Sequence, residues 1–158
     1  QILELPYSGD RLSMLVLLPR EKDGLPNLEA KLTADFLSEA TNKLWEREVI
    51  VHLPSFKIEA SFILNDALKA LDMPDAFADN KANFAGMDGT RLLRIGYVLH
   101  KAFIDVNEEG TEAAAATAVL MSRGGSRPFE FRADHPFIFL IRENQSGSIL
   151  FMGRMTKP

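Results

Sequence analysis

Short apolar blocks separated by turn residues run through most of this chain, and helical spacing of apolar positions is confined to a few stretches. Residues 1–7 predict a strand closed by Pro6 and the turn Ser8-Gly9-Asp10. Residues 12–18 are nearly all apolar, too hydrophobic for an edge, and predict a central strand that forms a hairpin with the first. A polar loop over 20–26 leads to a short helix over 27–32. Thr33 then caps a second helix that carries Phe36, Leu37 and Ala40 and reaches about Lys43. Alternation returns over 48–64: Val49, Val51 and Leu53 alternate with Ile50 and His52, Pro54 interrupts, and Phe56, Ile58 and Ala60 resume. Asn65 is placed to cap a helix with Ala67, Leu68 and Leu71 on one face, ending before Met73-Pro74. Residues 75–88 are irregular, anchored by Phe77, Phe84 and Met87, and residues 90–106 predict one long strand. Beyond Pro128 come three more strands, over 129–132, 136–142 and 148–154, with a turn over 144–147 between the last two. No βαβ alternation emerges, so the predicted class is α+β with several mixed sheets.

One stretch, 107–128, does not fit this scheme. Asn107-Glu108-Glu109-Gly110-Thr111-Glu112 leads into Ala113, Ala114, Ala115 and Ala116, then Thr117, and the stretch closes through Arg123-Gly124-Gly125-Ser126-Arg127-Pro128. With a period of two, Thr111, Ala113, Ala115, Thr117, Val119 and Met121 share one face, uncharged and mostly small enough to enter a sheet interior. Alanine is nevertheless the best helix former and a poor strand former. The segment can be a strand without being committed to one, which suits a loop exposed in one state and paired in another. An alanine-rich surface helix or a linker accounts for the same composition.

Composition adds bounds rather than direction. The 158 residues suffice for one domain, or part of one, with a real core. A net charge of −4 and the lack of a basic cluster give no reason to expect nucleic acid. The apolar run at 12–19 has the length of a strand, so no membrane partner is expected. There is no cysteine, hence neither disulfide nor thiol chemistry. The chain opens at Gln1, without methionine and directly in strand-like sequence, which leads to the expectation that an N-terminal part is missing.

Candidate chemistry is sparse. His52, His100 and His135 lack partners at metal-ligand spacing, and no Gly-x-Ser-x-Gly elbow exists. Ser126 follows two glycines that would not hold a nucleophile in place. Glu108 and Glu109 would point to opposite sides of a strand, which argues against shared acid/base work. Neither catalysis nor a cofactor is expected. Arg123, flanked by glycine, is different: it sits in a peptide that could be drawn extended into a protease cleft, and a trypsin-like pocket carries an aspartate that wants arginine. An incidental arginine in a polar loop is the alternative.

The string from Val106 through Asn107-Glu108-Glu109-Gly110-Thr111-Glu112 to the four alanines, Thr117 and Ala118 resembles the hinge of the reactive-centre loop of inhibitory serpins. Leu99-His100-Lys101-Ala102-Phe103 resembles the end of strand 5 of their main sheet. Asp134-His135-Pro136-Phe137 and Ile149-Leu150-Phe151-Met152-Gly153-Arg154 resemble the last two strands of sheet B. Leu53-Pro54-Ser55-Phe56-Lys57-Ile58-Glu59 and Met73-Pro74-Asp75-Ala76-Phe77 are similar to further signatures of the family. Gly96 stands where serine is common and Asp105 where glutamate is usual. The resemblance covers the whole chain but only the C-terminal portion of a serpin domain. It implies that the N-terminal helices and most of sheet A, including the strands that receive the loop, lie elsewhere.

The resemblance implies a suicide-type serine protease inhibitor. A protease attacks the loop, forms an acyl-enzyme, and is carried away as the freed hinge inserts between strands 3 and 5 of sheet A. Gly110 would give the bend where insertion begins, with Thr111, Ala113, Ala115 and Thr117 on the buried face. Arg123-Gly124 is the favoured scissile bond, since arginine gives a pocket charge and reach while glycine gives it nothing to grip. Gly124-Gly125 is the alternative register, and Met121 a third option for elastase-like or chymotrypsin-like enzymes. His100 is implied to belong to the shutter beneath sheet A, bonded to residues of the missing half. The implied partners are a trypsin-like serine protease and the remaining N-terminal part of the same protein; secretion is the family's common habit, and the absence of cysteine is also compatible with an intracellular or prokaryotic protein. Two other functions compete: a non-inhibitory serpin acting as carrier or chaperone, which bulky, charged or proline residues in the hinge would favour, and a fragment that is inert or donates its loop to another molecule's sheet.

Overall fold

The structure, a computed structural model, describes residues 1–107 and 128–158. They form two compact units, residues 1–56 with 106–158, and residues 57–105.

The first unit is built on a four-stranded antiparallel sheet. Its strands are β1 (Ile2–Pro6), β2 (Leu12–Leu17), β7 (Phe137–Glu143) and β8 (Ile149–Met155), in the order β1-β2-β7-β8. β2 is central, as its apolar run predicts, and the reason is that both of its faces are covered. On one face Leu15 and Leu17 lie opposite Leu140 and Ile138 of β7. They pack with Leu25 and, further out, Phe36, Leu37 and Leu44 from the helical segment that follows. On the other, Met14 and Val16 lie opposite Ile141 and Phe139, and Phe56 sets its ring 5.2 Å from that of Phe139 and 6.1 Å from that of Phe137. Each such fully buried side chain contributes about 1.5–3 kcal/mol. Ser13, fully buried within the strand, donates its hydroxyl to Asn144 Oδ1 at 2.7 Å and accepts from Arg142 Nε. The tight turn at Gly9 and the one at Gly147 both use positive φ, 85° and 72°.

Helix α1 spans Leu25–Lys31, two residues earlier than the sequence pattern predicts, because Pro26 occupies the first turn where its missing N–H costs nothing. Helix α2, Ala34–Thr41, is capped by Thr33 as predicted: the Phe36 N–H donates to its hydroxyl at 3.1 Å. β3 (Val49–His52) and β6 (Phe129–Arg132) pair in parallel, Val49 opposite Phe129 and His52 opposite Arg132.

The second unit holds most of β4 (Phe56–Ile63) and β5 (Leu99–Val106), which pair as a two-stranded sheet. It also contains α3 (Asn65–Ala70), a single 3-10 turn at Asp75–Phe77 and the short α4 (Ala85–Asp88). Three expectations fail here. Residues 90–98 are not strand: the Ile95 N–H goes to Ala76 O, Val98 N–H to the Asn65 side chain, and Leu92 is almost fully exposed. Asn65 does not cap its helix. It is the first helical residue, after an N-cap at Leu64, and its amide accepts from Val98 N–H at 2.9 Å while donating to Gly96 O at 2.8 Å. Phe77 is buried as an anchor, but Met87 is 79% exposed. Asn65→Ala is expected to destabilise by about 1 kcal/mol, because both bonds to the 96–98 segment go with it. Denaturant unfolding of the full-length protein checks this, together with faster amide exchange at Val98.

Candidate functional site

The residues singled out from sequence as the hinge (108–117) and the reactive bond (Arg123, Gly124, Gly125, with Met121 as the further option) lie outside the described residues. The structure does describe the two strands from which they extend.

On the entry side, β5 alternates. Ile104 and Val106 are buried, while Phe103 and Asp105 reach outward. Lys57 of β4 ties this outer row together, its ammonium 3.5 Å from Asp105 Oδ2 and 4.9 Å from the centre of the Phe103 ring. Both partners of the ion pair are substantially exposed, so it contributes little energy and serves mainly to align the two strands. With Leu64 N–H bonded to Val98 O at the far end, the start of β4 faces the end of β5, the antiparallel arrangement. His100, the one site residue from the sequence that is described, is exposed on β5. Its ring stacks on Phe62 at 6.4 Å with the planes 22° apart.

On the exit side the chain re-enters at β6. Phe131 is 1% exposed and locks this strand into the first unit, while Phe129, at its start, is half-open and carries the Arg47 guanidinium 4.0 Å above its ring. Trp45 flanks the same guanidinium at 5.6 Å. These residues, with Val49, Val51 and residues of β1, line an open groove of about 830 Å³. Sequence reasoning passes over Trp45, Arg47 and Phe129, because the first two lie more than 80 residues before the third until the parallel pairing of β3 with β6 brings them together.

At the end of β6, Ala133 N–H continues the pairing to His52 O. His135 follows, with Nδ1 2.8 Å from Asp134 Oδ1 and Nε2 2.8 Å from the Pro19 carbonyl. Those two acceptors, the carboxylate first, push the imidazole above its ordinary pKa, and the same contact holds the Asp134 carboxyl below its own. Among the described residues no three His, Asp or Glu side chains cluster as a metal site. No described helix is long and apolar enough to cross a membrane.

Separate small sheets joined by few helices, with one strand entering and one leaving the alanine-rich stretch, define a multi-sheet α+β protein organised about a single long connection. The family model for the serpins, the serine protease inhibitors, matches residues 1–158, and the chain belongs to this family, whose members are described as inhibitors rather than enzymes. It is 51% identical to human Serpin B3 over 164 residues and 48% identical to the leukocyte elastase inhibitor of Equus caballus over 165 residues. Each alignment covers 100% of this chain, but only 41% and 44% of those proteins. The chain therefore spans less than half the length of these relatives. Among solved structures, uncleaved ovalbumin superposes with a TM-score of 0.82 at 37% identity, covering 99% of this chain and 39% of that one. Native protease nexin-1 with heparin gives 0.81 at 35%, covering 99% and 41%. The serpin fold expected from the resemblance is thus the fold observed.

Proposed function

We propose that this chain is the C-terminal portion of a single serpin domain and that the full-length protein inhibits a serine protease by suicide-substrate trapping. The hinge is the observation that carries this reading. Thr111, Ala113, Ala115 and Thr117 are small and uncharged at alternate positions along the chain. A carrier or chaperone serpin needs no such insertion-competent face. After cleavage the hinge gains sheet pairing and burial, and that gain drives the trap. His100 acts in the shutter, its exposed ring meeting groups of the remaining N-terminal part.

The target is a trypsin-like protease, with Arg123 as the residue it grips. A second reading has its own support, since one relative is named for leukocyte elastase, a name that favours cleavage after Met121. The relatives' names carry no compartment, so secretion forms no part of the proposal. The full-length protein, incubated with a trypsin-like protease, is expected to give a covalent complex that survives denaturing electrophoresis. Mass spectrometry of the released peptide is expected to place the cut after Arg123. Arg123→Ala should slow that inhibition roughly 100-fold or more, because the pocket carboxylate is left unpaired. A cut after Met121 by an elastase-like enzyme, with no complex to a trypsin-like one, would replace the first target reading by the second.

A further inference from the structure

His135 has no part in the trapping mechanism, yet both of its ring nitrogens are engaged. Nδ1 faces Asp134 Oδ1 and Nε2 faces the Pro19 carbonyl, each at 2.8 Å, and the side chain is 11% exposed. A backbone carbonyl can only accept a hydrogen bond, and so can an ionised carboxylate. Asp134 is about half exposed, and its acidity is strengthened by the contact itself, so it is ionised near neutrality. Both ring nitrogens must then donate, and only the imidazolium carries two N–H groups. A neutral ring would keep its N–H on Nδ1, for the stronger charge-assisted bond to Asp134, and leave Nε2 and the Pro19 carbonyl as two acceptors facing each other's lone pairs. The remaining charged group facing the ring is Lys22, from the connector between β2 and α1, and it opposes the imidazolium.

The position of these bonds gives them a mechanical meaning. His135 sits at the corner where the chain passes from the β3–β6 pair into the four-stranded sheet. The corner is held independently of the histidine, on one side by Ala133 N–H to His52 O and on the other by Phe137, which is fully buried. The connector is held less firmly: residues 20–23 are exposed, and Pro19, from which they depart, is the residue that His135 grips. We propose that His135 is a pH-dependent clasp which, as the imidazolium, ties the connector after β2 to the corner between β6 and β7, and lets the connector go when it loses its proton. Because the folded state favours the protonated ring, the clasp is fully closed below the ordinary histidine value and opens as pH rises through the raised folded one. Lys22 assists opening by repelling the ring as long as it stays charged.

The test follows the ring protons of the three histidines by NMR in the full-length protein, together with amide exchange over residues 20–23, normalised for intrinsic rate, from about pH 6 to about pH 8.5. His135→Gln assigns the signal, and Asp134→Asn removes the carboxylate while retaining the ring. The expected result is a His135 midpoint above that of an unperturbed histidine and lowered by Asp134→Asn. Protection over 20–23 should fall as the wild-type ring deprotonates and show no such fall in His135→Gln. Should His135→Gln fail to fold, the same comparison between wild type and Asp134→Asn decides, with the protection change moving to lower pH alongside the midpoint. A His135 midpoint at or below the ordinary value, or protection that is indifferent to the ring's titration, overturns the proposal.

Discussion

On the proposed trapping mechanism, Thr111→Arg is expected to turn the full-length protein from an inhibitor into a substrate, with the loop cut at the normal rate and no complex surviving denaturing electrophoresis. The physical reason lies in when the charge is felt. Before cleavage an arginine at 111 lies outside the bond the protease attacks, so acylation is unaffected. On the proposed insertion the residue would belong to the buried alternation of Thr111, Ala113, Ala115 and Thr117, and a guanidinium there would have to be stripped of water without a partner. Such a charge costs several kcal/mol, about 3–5 kcal/mol where buried pairs have been broken. Each ~1.4 kcal/mol added to the insertion barrier slows it about tenfold, so hydrolysis of the acyl-enzyme overtakes insertion by a factor of roughly 100 or more. Glu112→Arg, on the opposite face, is the control and should leave complex formation within about threefold of wild type. The ratio of complex to cleaved inhibitor on a gel reads both, and a stable complex with Thr111→Arg would refute the insertion geometry.

The second large effect is one of packing. Gly153 of β8 lies opposite Phe139 of β7, and a Cβ at that position would come within 2.8 Å of Cε1 and 3.1 Å of Cε2 of the ring, closer still to Cζ. The ring cannot swing clear, since Phe139 is 2% exposed and packed against Phe56. Gly153→Val is therefore expected to destabilise by about 3 kcal/mol, the upper part of the usual range for overpacking. Adding Phe139→Leu should recover a good part of the loss, because the two positions share one contact and their effects do not add. Denaturant unfolding of the single and double variants measures this coupling. A loss below about 0.5 kcal/mol for Gly153→Val, the level of an ordinary surface change, would mean that β7 and β8 are not in this register.

Sequence pattern reached the parts of the fold in which burial imposes a period. β2 was legible because both of its faces are covered and all of its residues but Ser13 are apolar, and Thr33 because capping is a local bond between near neighbours. Residues 90–98 were not legible. Leu92, Leu93, Ile95, Tyr97 and Val98 have strand composition, yet their backbone finds partners in Ala76 and in the Asn65 side chain, 31 to 33 residues away for the latter. Composition cannot report a long-range competitor for a hydrogen bond. Asn65 was misplaced for the same reason, since a cap and a tertiary clamp ask for the same side chain. The hinge lies outside the described residues; its run of small residues stands out in the sequence, and the role proposed for it comes from resemblance to a family. The clasp at His135 was hidden because one of its partners is a backbone carbonyl 116 residues distant, which no spacing of side chains reveals.

The claim on which the functional reading rests is that the alanine-rich neck gains a place in a sheet once the loop is cut. The direct measurement is thermal unfolding of the full-length protein before and after proteolytic cleavage within residues 121–125. The account predicts that the cleaved protein melts at a distinctly higher temperature, and that Thr111→Arg loses that increase. Equal melting temperatures for intact and cleaved protein, with the neck still open to further proteolysis, would contradict it.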